Sequence, residues 1–124
     1  MIVFKPCEEA VARAQFRLRG ISYVSEHSFA YCTELGGTSF YCLFTAADTR
    51  AEVLDLDLSA GPVIAEGLLR AALNFAAGQS AYTVRCRRES LFDFLLGLGF
   101  HRRGDEVWGE IPEILTGSCC NLCK

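Results

Sequence analysis

The chain has 124 residues, of which 51% are hydrophobic and 22% charged: enough for one packed domain, too few for two ordinary ones, and too apolar for disorder. Twelve Lys and Arg against fifteen Asp and Glu leave a net charge of −3, without the basic excess that neutralises a phosphate backbone, so nucleic acid is set aside as a partner. The start, Met1-Ile2-Val3-Phe4-Lys5-Pro6, is no basic leader, and no apolar run nears the ~18 residues of a membrane span, so a cytoplasmic location with no membrane contact is expected.

In chain order, residues 2–4 read as a short strand. Cys7, Val11, Ala14 and Leu18 then recur at helical spacing, Glu9 and Arg13 form an i,i+4 pair, and Gly20 ends the segment, which predicts an amphipathic helix over 7–19. Residues 28–35 alternate large apolar with small or polar side chains. Gly36-Gly37 leads into the aromatic and β-branched run 38–47, a hairpin pattern. Asp48-Thr49-Arg50 turns the chain into residues 52–58, where leucines and acids alternate as in a third antiparallel strand.

After Ser59-Ala60-Gly61-Pro62 the period becomes helical: Ile64, Leu68, Ala72 and Phe75 share a stripe until Gly78. Residues 81–87 alternate as a strand, Leu91, Phe94, Leu95 and Leu98 mark another helix ended by Gly99, and Gly104-Asp105 separates two last strands. This order predicts one α/β (α+β) domain with a mixed sheet, spanning residues 1–116. Cys7, Cys32, Cys42 and Cys86 fall in its periodic segments as small hydrophobes, and an odd total of seven cysteines reads as reduced thiols.

Two stretches in residues 52–100 carry a family resemblance. Ala65-Glu66-Gly67-Leu68-Leu69-Arg70-Ala71-Ala72-Leu73 resembles the Gly-x-Gly/Ala-x-Leu-Leu helix start of the GNAT acetyltransferase superfamily, and Leu91-Phe92-Asp93-Phe94-Leu95-Leu96-Gly97-Leu98-Gly99-Phe100 resembles its (Leu/Tyr)-x-x-x-Leu-Gly-Phe ending. The resemblance implies a mixed sheet with helices packed on both faces and acetyl-coenzyme A, or another acyl-coenzyme A, as cosubstrate. It implies a cofactor site at Asp57, Leu58, Ile64, Ala65, Glu66 and Gly67: strand N–H groups polarising the thioester, and a helix N-terminus receiving the pyrophosphate. Glu52 takes the place of a glutamate that accepts the acceptor amine's proton, a role a carboxylate near neutral pH fills well. Glu52, Asp55 and Asp57 equally fit the polar side of a half-exposed strand.

The departures from the family pattern are specific. Pro62 stands where an Arg or Gln leads the loop, and Ala65 stands for its first Gly. Leu95 replaces a tyrosine that protonates the departing thiolate, leaving Ser90, Tyr82 or water as substitutes. Arg87-Arg88 occupy the end of the following strand, either as phosphate ligands or as a solvated basic pair. The helical region between the first two strands is abbreviated, which leaves either a wide acceptor cleft or a surface for a homodimer partner. Phe29, Tyr31, Phe40, Tyr41 and Phe44 suit core or cleft.

Residues 117–124 lie outside the pattern as a Cys-rich tail. Cys120-x-x-Cys123, with Cys119 beside it, has the spacing of metal ligands or a redox pair and equally of a thiol end or partner-binding tag. A zinc set would need His27 or His101, so no metal is assigned. The expected function is acyl transfer to an amine, either a small molecule or a peptide N-terminus. The rival is a GNAT-fold module without catalysis that binds a ligand or dimerises.

Overall fold

The computed structural model describes residues 1–122, with side chains through residue 117. Among these, period-two segments make the meander β2 (Ser28–Leu35), β3 (Thr38–Ala47) and β4 (Arg50–Leu56). Its two-residue turns both have consecutive left-handed residues, Gly36-Gly37 at φ 57° and 83° and Asp48-Thr49 at 52° and 65°. That geometry matches the strand twist. Glycine and aspartate adopt it readily, whereas β-branched Thr49 is strained there.

β1 (Lys5–Pro6) pairs with β2 at the sheet edge, where a proline costs no ladder bond, and α1 (Glu9–Leu18) follows. After the meander come α2 (Pro62–Gly78), β5 (Thr83–Cys86), a 3-10 turn at Glu89–Leu91, α3 (Phe92–Gly97), β6 (His101–Arg103), β7 (Glu106–Glu110) and α4 (Ile111–Leu122). The sheet order is β1-β2-β3-β4-β5-β7-β6, antiparallel except for the parallel β4–β5 pair that the α2 crossover requires. No helix of the described residues is long and apolar enough to cross a membrane.

The expected mixed sheet with helices on both faces is present. α2, α3 and α4 bury one face around Leu68, Leu69, Leu95 and Ile111, and Phe75 packs among Phe29, Tyr31 and Phe44. α1 lies on the other face against Ala30 and Leu43. Cys42 and Cys86 are fully buried free thiols, while Cys7 and Cys32 are half-buried.

Four expectations are corrected. The first strand lies at Lys5–Pro6, because Phe4 turns its ring into a notch of α2 instead of pairing. The buried face of α1 is Ala12 and Phe16, with Phe16 set edge-on to Tyr23 at 5.1 Å; Val11 and Leu18 of the predicted stripe face outward, Leu18 at 75% exposure. The helix touches a narrow strip of sheet, so one turn-spaced pair suffices and the longer apolar spacing is incidental. The strand expected over 52–58 begins at Arg50 and ends at Leu56, leaving Asp57 and Leu58 outside it. α4, absent from the predicted order, runs through the point between residues 116 and 117 where domain and tail were divided.

Candidate functional site

β4 and β5 pair from Arg50–Thr83 to Val53–Cys86 and then separate, since β5 stops while β4 continues to Leu56. The cause lies in β4. Leu43 faces Asp55 and Phe44 faces Val53, so Leu54 is the extra residue of a bulge, and a bulge bends and twists its strand. The end of β4 turns off β5 and opens a splay.

Arg19, just past α1, holds that end in place. Its guanidinium donates to Asp55 at 2.9 Å and to both Asp57 oxygens at 2.8 and 3.0 Å. Burial disfavours the charge on Arg19, but these bonds to Asp57 and Asp55 outweigh it and leave its pKa above the ordinary value. Sequence reasoning missed Arg19, whose partners are 36 and 38 residues away. On the other wall of the splay, Arg88 reaches across to Asp55 at 3.1 Å.

The N-terminus of α2 opens beside the splay. Gly61, at φ 100°, precedes Pro62 at the first helical position. Pro62 brings no N–H, and the amide of Ala65 donates to Gly61 O at 3.1 Å, which leaves Val63 and Ile64 as first-turn donors without an intrahelical carbonyl.

Of the expected cofactor contacts, Ile64 therefore keeps a free backbone donor. The amides of Ala65, Glu66 and Gly67 lie within the hydrogen-bonded helix, and the Ala65 side chain is fully buried. Glu66 sits beyond the first turn, 3.9 Å from Arg70, which also donates to Leu115 O. Gly67 has a packing role: a Cβ there would lie 2.2–2.9 Å from the Phe4 ring. Asp57 faces β3, its amide donating to Tyr41 O at 2.9 Å and its carboxylate accepting from Tyr41 N at 2.8 Å. Leu58 lies in the loop after β4, its carbonyl accepting from Gly61 N at 3.0 Å.

Glu52, the expected proton acceptor, has a side chain only 15% exposed and both oxygens occupied. Arg87 grips it through Nε at 2.8 Å and Nη2 at 3.1 Å, and Arg85 adds a 3.3 Å bond from the paired position on β5. Those bonds and the charge of Glu52 raise the pKa of Arg87 above its ordinary value. Arg87 and Arg88, expected as phosphate ligands or a solvated pair, are thus engaged by Glu52 and Asp55.

Leu95 is fully buried and Ser90 is exposed in the 3-10 turn, while Tyr82 precedes β5 at the end of the strand remote from the splay. Cys86 closes the paired part of the sheet. Burial pushes its thiol up to about 11, so at neutral pH it is not a thiolate nucleophile. Among the described residues no group of three or more His, Cys, Asp and Glu is arranged to hold a metal; Cys119, Cys120 and Cys123 lie outside the residues whose side chains are described.

The sequence matches no protein-family model and no curated protein. The fold, by contrast, is shared with solved N-acetyltransferases over nearly their whole length. The ribosomal-protein-S18-alanine N-acetyltransferase of Escherichia coli superposes with a TM-score of 0.64 at 10% identity, over 90% of this chain and 94% of that one. The PaiA N-acetyltransferase of Thermoplasma acidophilum, solved in complex with coenzyme A, gives 0.61 at 15% over 89% and 98%. An N-acetyltransferase of Staphylococcus aureus Mu50 gives 0.59 at 12% over 90% and 99%. A mixed seven-stranded sheet with a bulged fourth strand splayed from the fifth, and a helix N-terminus beside the splay, thus gives the chain the GNAT acetyltransferase fold.

Proposed function

We propose that this chain is a small acyl-coenzyme A-dependent N-acyltransferase that acylates a primary amine directly. The observation that carries this reading is the splay of β4 from β5 beside the free amides of Val63 and Ile64. The backbone suits the ligand, since a helix N-terminus favours pyrophosphate and an unpaired strand end offers N–H groups to a carbonyl. The Leu56 amide already donates to Asp55 at 3.0 Å and Asp55 is paired with Leu43 on β3, so Leu54, the extra residue of the bulge, is the backbone proposed for that role.

A bound thioester supplies a carbonyl carbon for the amine and a thiolate leaving group. After one of its two arginines gives way to the incoming ammonium, Glu52 takes one proton from it; the neutral amine then forms the N–C bond, and the adduct's second nitrogen proton passes to solvent. The C–S bond then breaks. An ordinary thiol pKa of about 8.5 lets the sulfur leave as thiolate and take its proton from solvent, which accommodates Leu95 in place of a hydroxyl. The reading is direct transfer without an acyl-enzyme, and Cys86, fully buried, is no candidate nucleophile.

A second reading is a GNAT-fold module without catalysis. It is favoured by the closed ion pairs at Glu52 and by a Gly67 that serves Phe4. Thiol release from acetyl-coenzyme A in the presence of amines separates the two. On the first reading Glu52→Gln lowers the rate about 100-fold or more at pH 7 and far less at pH 9–10, where the amine is already neutral. An equal loss at both pH values removes Glu52 from the mechanism, and no release with any amine supports the module.

A further inference from the structure

The sheet face opposite α2 is covered only in part. α1 packs there on β2 and on Leu43 and Leu54, whereas across β5, β7 and β6 the side chains stand in exposed or half-buried rows. One row runs Thr45, Glu52, Arg85, Trp108, and the row beside it Ala47, Arg50, Thr83, Glu110. Between them lies a cleft of about 520 Å³, within the roughly 300–1,000 Å³ range of small-molecule sites.

Three guanidiniums, Arg50, Arg85 and Arg103, and one carboxylate, Glu52, line this cleft, a local charge of +2 on a chain whose net charge is −3. Two of the three are spoken for. Arg85 pairs with Glu52 and Glu106, and Arg103 pairs with Glu106 and lies over the Trp108 ring at 4.8 Å. Arg50 has no ion-pair partner among the described residues. It stands two residues before Glu52 on the same strand face, about 7 Å away along the strand, so an unpaired cation is beside a carboxylate that an ammonium reaches by displacing Arg85 or Arg87.

We propose that this cleft takes a free amino acid, its carboxylate on Arg50 and its amine at Glu52. That the amine is then acylated rests on the acyl-transfer reading above; recognition of the carboxylate does not. A guanidinium without a partner is the natural seat for a carboxylate, which it binds by paired, charge-assisted hydrogen bonds. Trp108 forms the wall opposite, against which the amino acid's side chain lies.

Trp108 is the single tryptophan of the chain, so its emission reports on the cleft without any coenzyme present. The test titrates L-alanine, L-leucine and L-glutamate into the full-length protein, each against its α-amide at matched ionic strength. The expected result is a saturable change with the amino acids, weakened tenfold or more in the amides. Arg50→Ala abolishes the preference at an unchanged melting temperature, and Arg50→Lys keeps part of it. Equal responses to acid and amide, persistence of the preference in Arg50→Ala, or no saturable response to the amino acids overturns the proposal. If the carboxylate preference holds while thiol release never occurs, the acyl-transfer reading falls and the binding site stands.

Discussion

Arg19 shows how one side chain can set the geometry of a site it does not line. Its fork joins two carboxylates of like charge that stand two residues apart, Asp55 and Asp57, and its plane lies 5.5 Å from the Tyr41 ring. Removing it leaves Asp57 without a cation and Asp55 with Arg88 alone. Exposures of 15–24% for the three side chains place the loss below the roughly 3–5 kcal/mol of a fully buried pair. Arg19→Ala is expected to destabilise by about 2 kcal/mol, a fall in melting temperature of about 6–10 °C. It should also free the end of β4. Unchanged melting would mean that the bulge alone holds the splay.

At the scale of elements, the notch in α2 explains a glycine that otherwise resembles a phosphate-loop residue. Inside a helix, Gly→Ala ordinarily stabilises by about 1 kcal/mol. At Gly67 the new Cβ would overlap the Phe4 ring, which must move out of the core edge it fills. Gly67→Ala is therefore expected to lower stability in the native background and to raise it by up to about 1 kcal/mol in Phe4→Ala, a change of sign that chemical denaturation can read. A gain in both backgrounds would show that Phe4 yields without loss, leaving the helix start as the reason for glycine. The same pair shows what was legible in the sequence and what was not. The strands of the meander, α2, β5 and the hairpin turns all follow from local periods and paired turn residues, so they could be read directly. The place of Phe4, the true face of α1 and the helix after β7 depend on what lies across the fold, and no local period encodes them.

Across the whole molecule, the ion pairs that hold Glu52, Asp55 and Asp57 join residues 33 to 38 apart. Glu52 was visible as an acid in an alternating strand, but its partners Arg85 and Arg87 come from the far side of the α2 crossover. Charge pairing across a parallel sheet leaves no mark in either segment alone. The sheet face left open over β5, β7 and β6, with its positive cleft on a negative chain, required the fold. At the splay and the α2 N-terminus the backbone leaves donors open, while Glu52, Asp55 and Arg19 around them are engaged in ion pairs.

Isothermal titration of acetyl-coenzyme A into the reduced protein asks whether the splay and the α2 N-terminus bind the cosubstrate proposed for them. With Pro62 offering neither a side-chain donor nor an N–H, the predicted dissociation constant is on the order of tens of micromolar, about −6 kcal/mol. Pro62→Arg, which adds a cation and restores an N–H at the first helical position, should tighten it several-fold. Saturable heat of that size, strengthened in the variant, is expected; no heat from either protein at millimolar ligand would rule out acyl-coenzyme A as its cosubstrate.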